Sequence, residues 1–172
     1  IANPDNQLQV SKHCVALLAN QNFGAQQRAS DVLKELARIE VGAPVVVVNA
    51  GAISPLVALL TSPSTEVKQS AADALSMLSF KGPSTQLAIA SGLVQLIGQG
   101  SADSQEQATQ LLLHLSHDPV NCKAVAKAGA VPRLVQQMKG GGRTSIKAQE
   151  LATAVLSNLA ALEECVKGIV QA

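Results

Sequence analysis

The chain has 172 residues, 47% of them hydrophobic and 15% charged, with a formal net charge of +1. It is too apolar for a disordered tail and too near neutrality to carry the basic footprint of a nucleic-acid binder. Only Phe23 and Phe80 are aromatic, so Leu, Val and Ala must fill the core, which favours thin layers of helices whose small residues let backbones come close.

The chain opens on Ile1 rather than Met, with no charged segment leading into an apolar run. We expect no signal peptide and a piece of a longer protein. Cys14, Cys122 and Cys165 are odd in number, far apart and without a CxxC pair, as expected of buried thiols in a reducing compartment. The expected location is intracellular, cytoplasmic or nuclear. Residues 41–60 form a long apolar stretch, but Pro44, Asn49, Gly51, Ser54 and Pro55 interrupt it. It reads as short helices and turns, with no membrane span.

A repeat organises the elements in chain order. Ala29, Leu33 and Leu36 form the first set of an Ala/Leu stripe. Ala71, Leu75 and Leu78 follow, then Ala108, Leu112 and Leu115, then Ala152, Leu156 and Leu159, at spacings of 42, 37 and 44 residues. Offsets of four and seven lie on one helix face, so each set predicts a helix burying the same stripe, with Ala where a neighbouring backbone is closest. In front of three of these helices stand AGAISPLVALL (50–60), SGLVQLIGQG (91–100) and AGAVPRLVQQM (128–138). Gly51, Gly92 and Gly129 are predicted to end one short helix at a sharp corner. A second helix then begins within two or three residues, with Pro55 and Pro132 in its first turn. Val15–Leu18 matches Val57–Leu60 at the same offset, which makes the N-terminal segment a partial copy. The fourth copy has a longer linker, Lys139 to Ser145, where Thr144 or Ser145 is expected to cap the following helix.

Asn121, Val125, Ala128, Gly129, Ala130, Val131, Pro132, Leu134 and Val135 resemble the armadillo repeat, whose units run Asn-x-x-x-Ile/Val-x-x-Ala-Gly-Ala-Ile/Val-Pro-x-Leu-Val and end in a third helix bearing the Ala/Leu stripe. The resemblance covers nearly the whole chain as one repeat domain, 1–172. It gives a partial copy at 1–40, copies at 41–82, 83–118 and 119–161, and the opening of another at 162–172. It implies an all-α fold, a right-handed superhelical solenoid of stacked three-helix repeats. Copy one departs from the pattern, with Asn20, Gln21, Asn22, Phe23 and Gly24 and no Ala-Gly-Ala corner.

In that family the third helices line a concave groove that takes extended peptides or partner helices. With the stripe Ala as zero, positions −2, +2, +6 and +9 lie opposite the buried face and are expected to look into the groove. These are Gln27, Asp31, Glu35 and Arg38 in copy one and Gln69, Asp73, Met77 and Phe80 in copy two. Copy three supplies Glu106, Gln110, His114 and His117, and copy four supplies Glu150, Ala154, Asn158 and Ala161. The set is polar and mixed in charge, and leans acidic in its N-terminal half. The import receptors of the family, importin-α, use Trp at +2 and Asn at +6 in successive repeats. This chain has no Trp and only Asn158 at +6, so capture of basic localisation signals in their manner is not expected. The groove of β-catenin resembles a basic stripe for acidic ligands, whereas this one offers Arg38 with Lys34 and Lys81 nearby. A partner with basic or polar character fits better.

Enzyme readings find little support. His114, His117 and Asp118 cluster at a helix end with geometry that could hold a metal, but a third ligand at a reproducible spacing is missing. The GGGRTS stretch lacks the Gly-Lys-Ser/Thr ending of a phosphate loop and the strand before it. Cys14 beside His13 cannot share a helix face with it, and Glu163 and Glu164 read as a helix start. We therefore expect a protein-interaction scaffold with no catalysis, no metal and no cofactor. Its partner is expected to be a protein or peptide, with no nucleic acid, and truncated repeats expose apolar ends that invite self-association. Two alternatives are the substrate-recruiting segment of a larger U-box ubiquitin ligase and an architectural module of a large assembly such as a cilium.

Overall fold

The computed structural model describes residues 3–38, 43–140 and 144–161. The expected fifth copy at 162–172, with Glu163, Glu164 and Cys165, and linker residues 141–143 lie outside them. Every element among the described residues is an α-helix: α1 (Pro4–Leu18), α2 (Phe23–Arg38), α3 (Ala43–Asn49), α4 (Ile53–Leu59), α5 (Thr65–Leu78), α6 (Pro83–Gln99), α7 (Ala102–Leu115), α8 (Pro119–Lys127), α9 (Ala130–Lys139) and α10 (Ile146–Ala160). None of these is long and apolar enough to cross a membrane.

Capping residues set where the helices begin. Ser64, Ser101 and Ser145 stand in extended conformation before α5, α7 and α10, and each Oγ accepts from the backbone N–H three residues on. Of the two capping candidates for α10, the structure uses Ser145, which accepts from the Ala148 N–H at 3.0 Å. Asp118 caps α8, its carboxylate accepting from the N–H groups of Val120 at 2.7 Å and Asn121 at 3.3 Å. Each such cap satisfies an N–H that the helix itself leaves unpaired, and is worth about 1 kcal/mol.

The chain divides into two compact units, Ile1–Thr85 and Gln86–Ala172. In the first, α2 packs along α5, α1 packs on α2 and α3, and α4 lies on α5. In the second, α10 packs on α9 and α7. Both units thus stack one third helix on another. The Ala/Leu stripe makes these contacts: Ala71, Leu75, Leu78, Ala108, Leu112, Ala152 and Leu159 are wholly inaccessible to solvent. Leu36 is the exception, being only half-buried. Neither ring belongs to the core, since Phe23 and Phe80 are 48% and 58% exposed. The packing therefore rests on aliphatic side chains, as composition requires. Cys14 and Cys122 are buried thiols outside any disulfide, and burial pushes the Cys14 thiol above its usual range, leaving it protonated at neutral pH.

Two of the three expected glycine corners form. Gly51 (φ 82°) turns the chain between α3 and α4, and Gly129 (φ 77°) between α8 and α9, both in the left-handed region. Gly92 does not. It lies inside α6, which runs unbroken from Pro83 to Gln99, so copy three has one long helix where two were expected. The reason is the following proline. A helix continued through the corners would drive Pro55 into the carbonyl of Gly51 and Pro132 into that of Ala128, each four residues back, with no N–H to bond it. After Gly92 come Leu93, Val94, Gln95 and Leu96, which all carry an N–H and keep the helix going. A glycine permits a corner, but here the proline enforces it.

Candidate functional site

The faces of the third helices opposite the stripe carry the candidate residues. None of the sixteen at −2, +2, +6 and +9 is buried. In the first unit, Glu35, Arg38, Gln69 and Phe80 are exposed, while Gln27, Asp31, Asp73 and Met77 are half-buried. In the second, Gln110, His114, His117, Glu150 and Ala161 are exposed, and Glu106, Ala154 and Asn158 are half-buried.

Side-chain pairing changes the electrostatic picture drawn from sequence. Lys34 Nζ lies 3.5 Å from Asp31 Oδ1 on its own helix and 3.7 Å from Asp73 Oδ2 on α5. Gln69 Nε2 donates to the other oxygen of Asp73 at 2.8 Å. Arg38 grips Glu35 through Nε and Nη2, both 2.9 Å from Oε2. The acidic lean of the N-terminal half is therefore partly offset, since two cations, Lys34 shared between Asp31 and Asp73 and Arg38 on Glu35, stand beside these three carboxylates. Lys34 was not among the groove positions expected from sequence. It stands at +5 and reaches Asp73 at +2 only because α2 and α5 stack in register, which could be read by aligning adjacent copies.

In the second unit, Glu106 accepts from Lys147 Nζ and Ser145 Oγ, both at 2.9 Å, so the start of α10 is tied to α7. These two donors hold the Glu106 carboxyl below its usual value, Lys147 contributing more than Ser145. A lowered folded-state value means stability that is present above the unfolded value, near pH 4.3, and lost as pH falls through the folded one. Glu106→Gln is expected to cost about 0.5 kcal/mol at pH 7. Urea unfolding at pH 7 and at pH 3 would check it, with the gap between wild type and variant closing at the lower pH.

Asn158 is also drawn inward. Its Nδ2 donates to Ser116 Oγ, the cap at the end of α7, at 2.8 Å. The same Ser116 accepts the Cys122 thiol on its carbonyl at 2.9 Å. The amide that sequence offered to a partner thus half serves the junction between α7, α8 and α10. Metal chemistry at the histidines is likewise weakened. Asp118 spends its carboxylate on the α8 cap, and among the described residues no group of three or more His, Cys, Asp or Glu is placed to hold an ion.

One feature of the first unit was not anticipated. A shallow, uncharged recess of about 570 Å³ lies between the α1–α2 turn and α4, lined by Leu18, Phe23, Gln26, Pro55, Ala58 and Leu59 among others. Its only clue in the sequence is a phenylalanine in a loop-like Asn-Gln-Asn-Phe-Gly segment.

Third helices stacked in each unit, with an aliphatic stripe buried on one face and a polar opposite face, define a helical-repeat protein, an α-solenoid. A family model for the Armadillo/beta-catenin-like repeat matches residues 42–80 and 118–161. The chain is 30% identical to an engineered protein solved by the Northeast Structural Genomics Consortium, with a TM-score of 0.62, over 94% of this chain and 67% of that one. The chain belongs to the armadillo repeat family. A computationally designed armadillo repeat protein for modular peptide recognition is similar at 23% identity and a TM-score of 0.58, over 93% of this chain and 69% of that one. A designed armadillo repeat protein in complex with the peptide (KR)4 is similar at 19% identity and a TM-score of 0.61, covering 98% and 79%. No curated protein sequence matches the chain.

Proposed function

We propose that this chain is a non-catalytic scaffold that binds an extended polar or basic peptide along the exposed faces of its third helices. The observation that carries this reading is the Asp31, Lys34, Gln69 and Asp73 cluster across α2 and α5. It is a surface ion-pair network whose cation sits on a flexible stem, and exposed pairs of this kind are worth only about 0–1 kcal/mol. A peptide Lys or Arg can therefore displace Lys34 from the two aspartates at little cost, and another can compete with Arg38 for Glu35. An arginine brings a planar fork that matches a carboxylate better than the ammonium it replaces. The designed relative captured with alternating Lys and Arg lends the same reading support.

The test is fluorescence anisotropy with a labelled (KR)4 peptide. Asp31→Lys, Glu35→Lys and Asp73→Lys combined are expected to weaken binding by more than about tenfold. Raising the salt from 50 to 300 mM should weaken the wild type too, the exposed charges being screened. Unchanged affinity in a triple variant with native circular dichroism would sink the reading.

A further inference from the structure

Charge in the second unit is sorted by helix. Among the described residues its carboxylates are Asp103 and Glu106 on α7, Asp118 at the cap of α8 and Glu150 on α10. Helices α8 and α9 themselves hold none. From Pro119 to Lys139 they carry Lys123, Lys127, Arg133 and Lys139, all four exposed. Asp118 stands next in sequence, but its carboxylate is turned to the N–H groups of Val120 and Asn121. Helix α6 has no charged residue at all.

Two of these cations meet at the Gly129 corner. Lys127 is the last residue of α8, and Arg133 lies in the first turn of α9, so each is within about one helical turn of the corner. Lys123 stands four residues before Lys127 and shares its face of α8. Lys123 and Lys139 also have contacts within the chain, so the site is built on Lys127 and Arg133.

Arg133 is seated on a neighbouring helix. A Cβ built on Gly98, near the end of α6, lies 3.2 Å from the Arg133 Cζ, 3.3 Å from its Nε and 3.4 Å from its Nη1. Near-equal distances with Cζ the shortest put the flat face of the guanidinium over Gly98, which leaves its N–H edges running along the surface. Such an edge meets a carboxylate with two parallel hydrogen bonds. An ordered fork suits a carboxylate on a peptide, whereas attraction to an anionic lipid surface needs only mobile charge.

We propose that the α8–α9 corner is a second docking surface, for an acidic peptide segment, with Arg133 holding one of its carboxylates and Lys127 another. Charge complementarity selects this occupant, since no described acid lies on α8 or α9 to repel it. The surface shares no residue with the peptide-binding reading above and stands if that reading fails.

Fluorescence anisotropy with a labelled, alternating Asp-Glu octapeptide at low salt tests it. The wild type should bind, and Lys127→Glu with Arg133→Glu should weaken binding by more than about tenfold. Arg133→Lys keeps the charge but loses the fork, for an expected loss of about threefold. Gly98→Ala alters no charge, yet its methyl displaces the guanidinium and should also cost about threefold in affinity. Lys12→Glu with Arg28→Glu changes the net charge equally on exposed positions of the first unit and should leave affinity within about twofold of wild type. A wild type that fails to bind the octapeptide overturns the proposal, including one that binds phosphatidylserine vesicles instead. So does a loss in the first-unit control equal to that in the corner variant, all variants having native circular dichroism. Unchanged affinity in both Arg133→Lys and Gly98→Ala would reduce the contact to unspecific charge attraction and overturns it too.

Discussion

Leu75→Ala is expected to lower the unfolding free energy by about 3 kcal/mol, within the range of 2–5 kcal/mol for emptying a fully buried leucine site. Leu75 has no exposed surface and lies in the C-terminal part of α5, a helix that packs on both α2 and α4. Its neighbours on the same helix, Ala71 and Ala74, have side chains too short to reach into the space left behind. The cost should therefore sit above the transfer term alone, because the cavity persists. Chemical unfolding followed by circular dichroism measures it, with an unchanged denaturant slope showing that the native state is intact. Phe80→Ala is the matching control. Removing an aromatic ring from a core costs about 3–5 kcal/mol, but Phe80 is 58% exposed, so its loss should fall within about 0.5 kcal/mol. If Phe80→Ala proved the more damaging of the two, the ring would be a core element and the Ala/Leu stripe would lose its role as the organising surface.

The contrast between Leu75 and Phe80 also marks what could be read in the sequence. The stripe is a local property: offsets of four and seven put three residues on one face whatever surrounds the helix. Its recurrence then identifies which face every copy buries, and eleven of the twelve stripe residues are indeed buried, with Leu36 half-covered. Corners are nearly as local, but only where glycine and proline act together, and Gly92 shows that a glycine matched by position alone misleads. The cross-helix pairs were out of reach for a different reason. Lys34 with Asp73, Glu106 with Lys147 and Ser145, and Asn158 with Ser116 depend on how far one helix slides past another. A shift of one helical turn, about 5.4 Å, would part each pair. Sequence periodicity states which face is inside and leaves that register open. Of the ion pairs on the candidate face of the first unit, Lys34 with Asp31 and Arg38 with Glu35 are local i,i+3 pairs that spacing allows, whereas Lys34 with Asp73 needs that register.

Gly129→Val carries the second large effect, and it isolates the backbone from packing. Gly129 holds φ 77° between α8 and α9, and a Cβ built there meets no heavy atom within 4 Å. With room for the Cβ, the main cost comes from forcing a side-chain-bearing residue into the left-handed region. For an ordinary residue this costs about 1–2 kcal/mol, and a β-branched one lies at or above the upper end. We expect about 2 kcal/mol for valine and roughly half of that for asparagine, which tolerates this conformation best after glycine. Gly98→Ala should have the opposite sign. Gly98 lies near the end of α6, and the atoms closest to its added Cβ belong to the Arg133 guanidinium, Cζ being 3.2 Å away at the tip of a flexible side chain. Once that tip moves, alanine in a helical position is favoured over glycine by about 0.5–1 kcal/mol. Thermal unfolding of the three variants in one buffer would show Gly129→Val lowest, Gly129→Asn between it and wild type, and Gly98→Ala above wild type. An asparagine variant as damaged as the valine would mean that the corner resists any side chain, and the missing space would then lie in contacts rather than in the backbone angle.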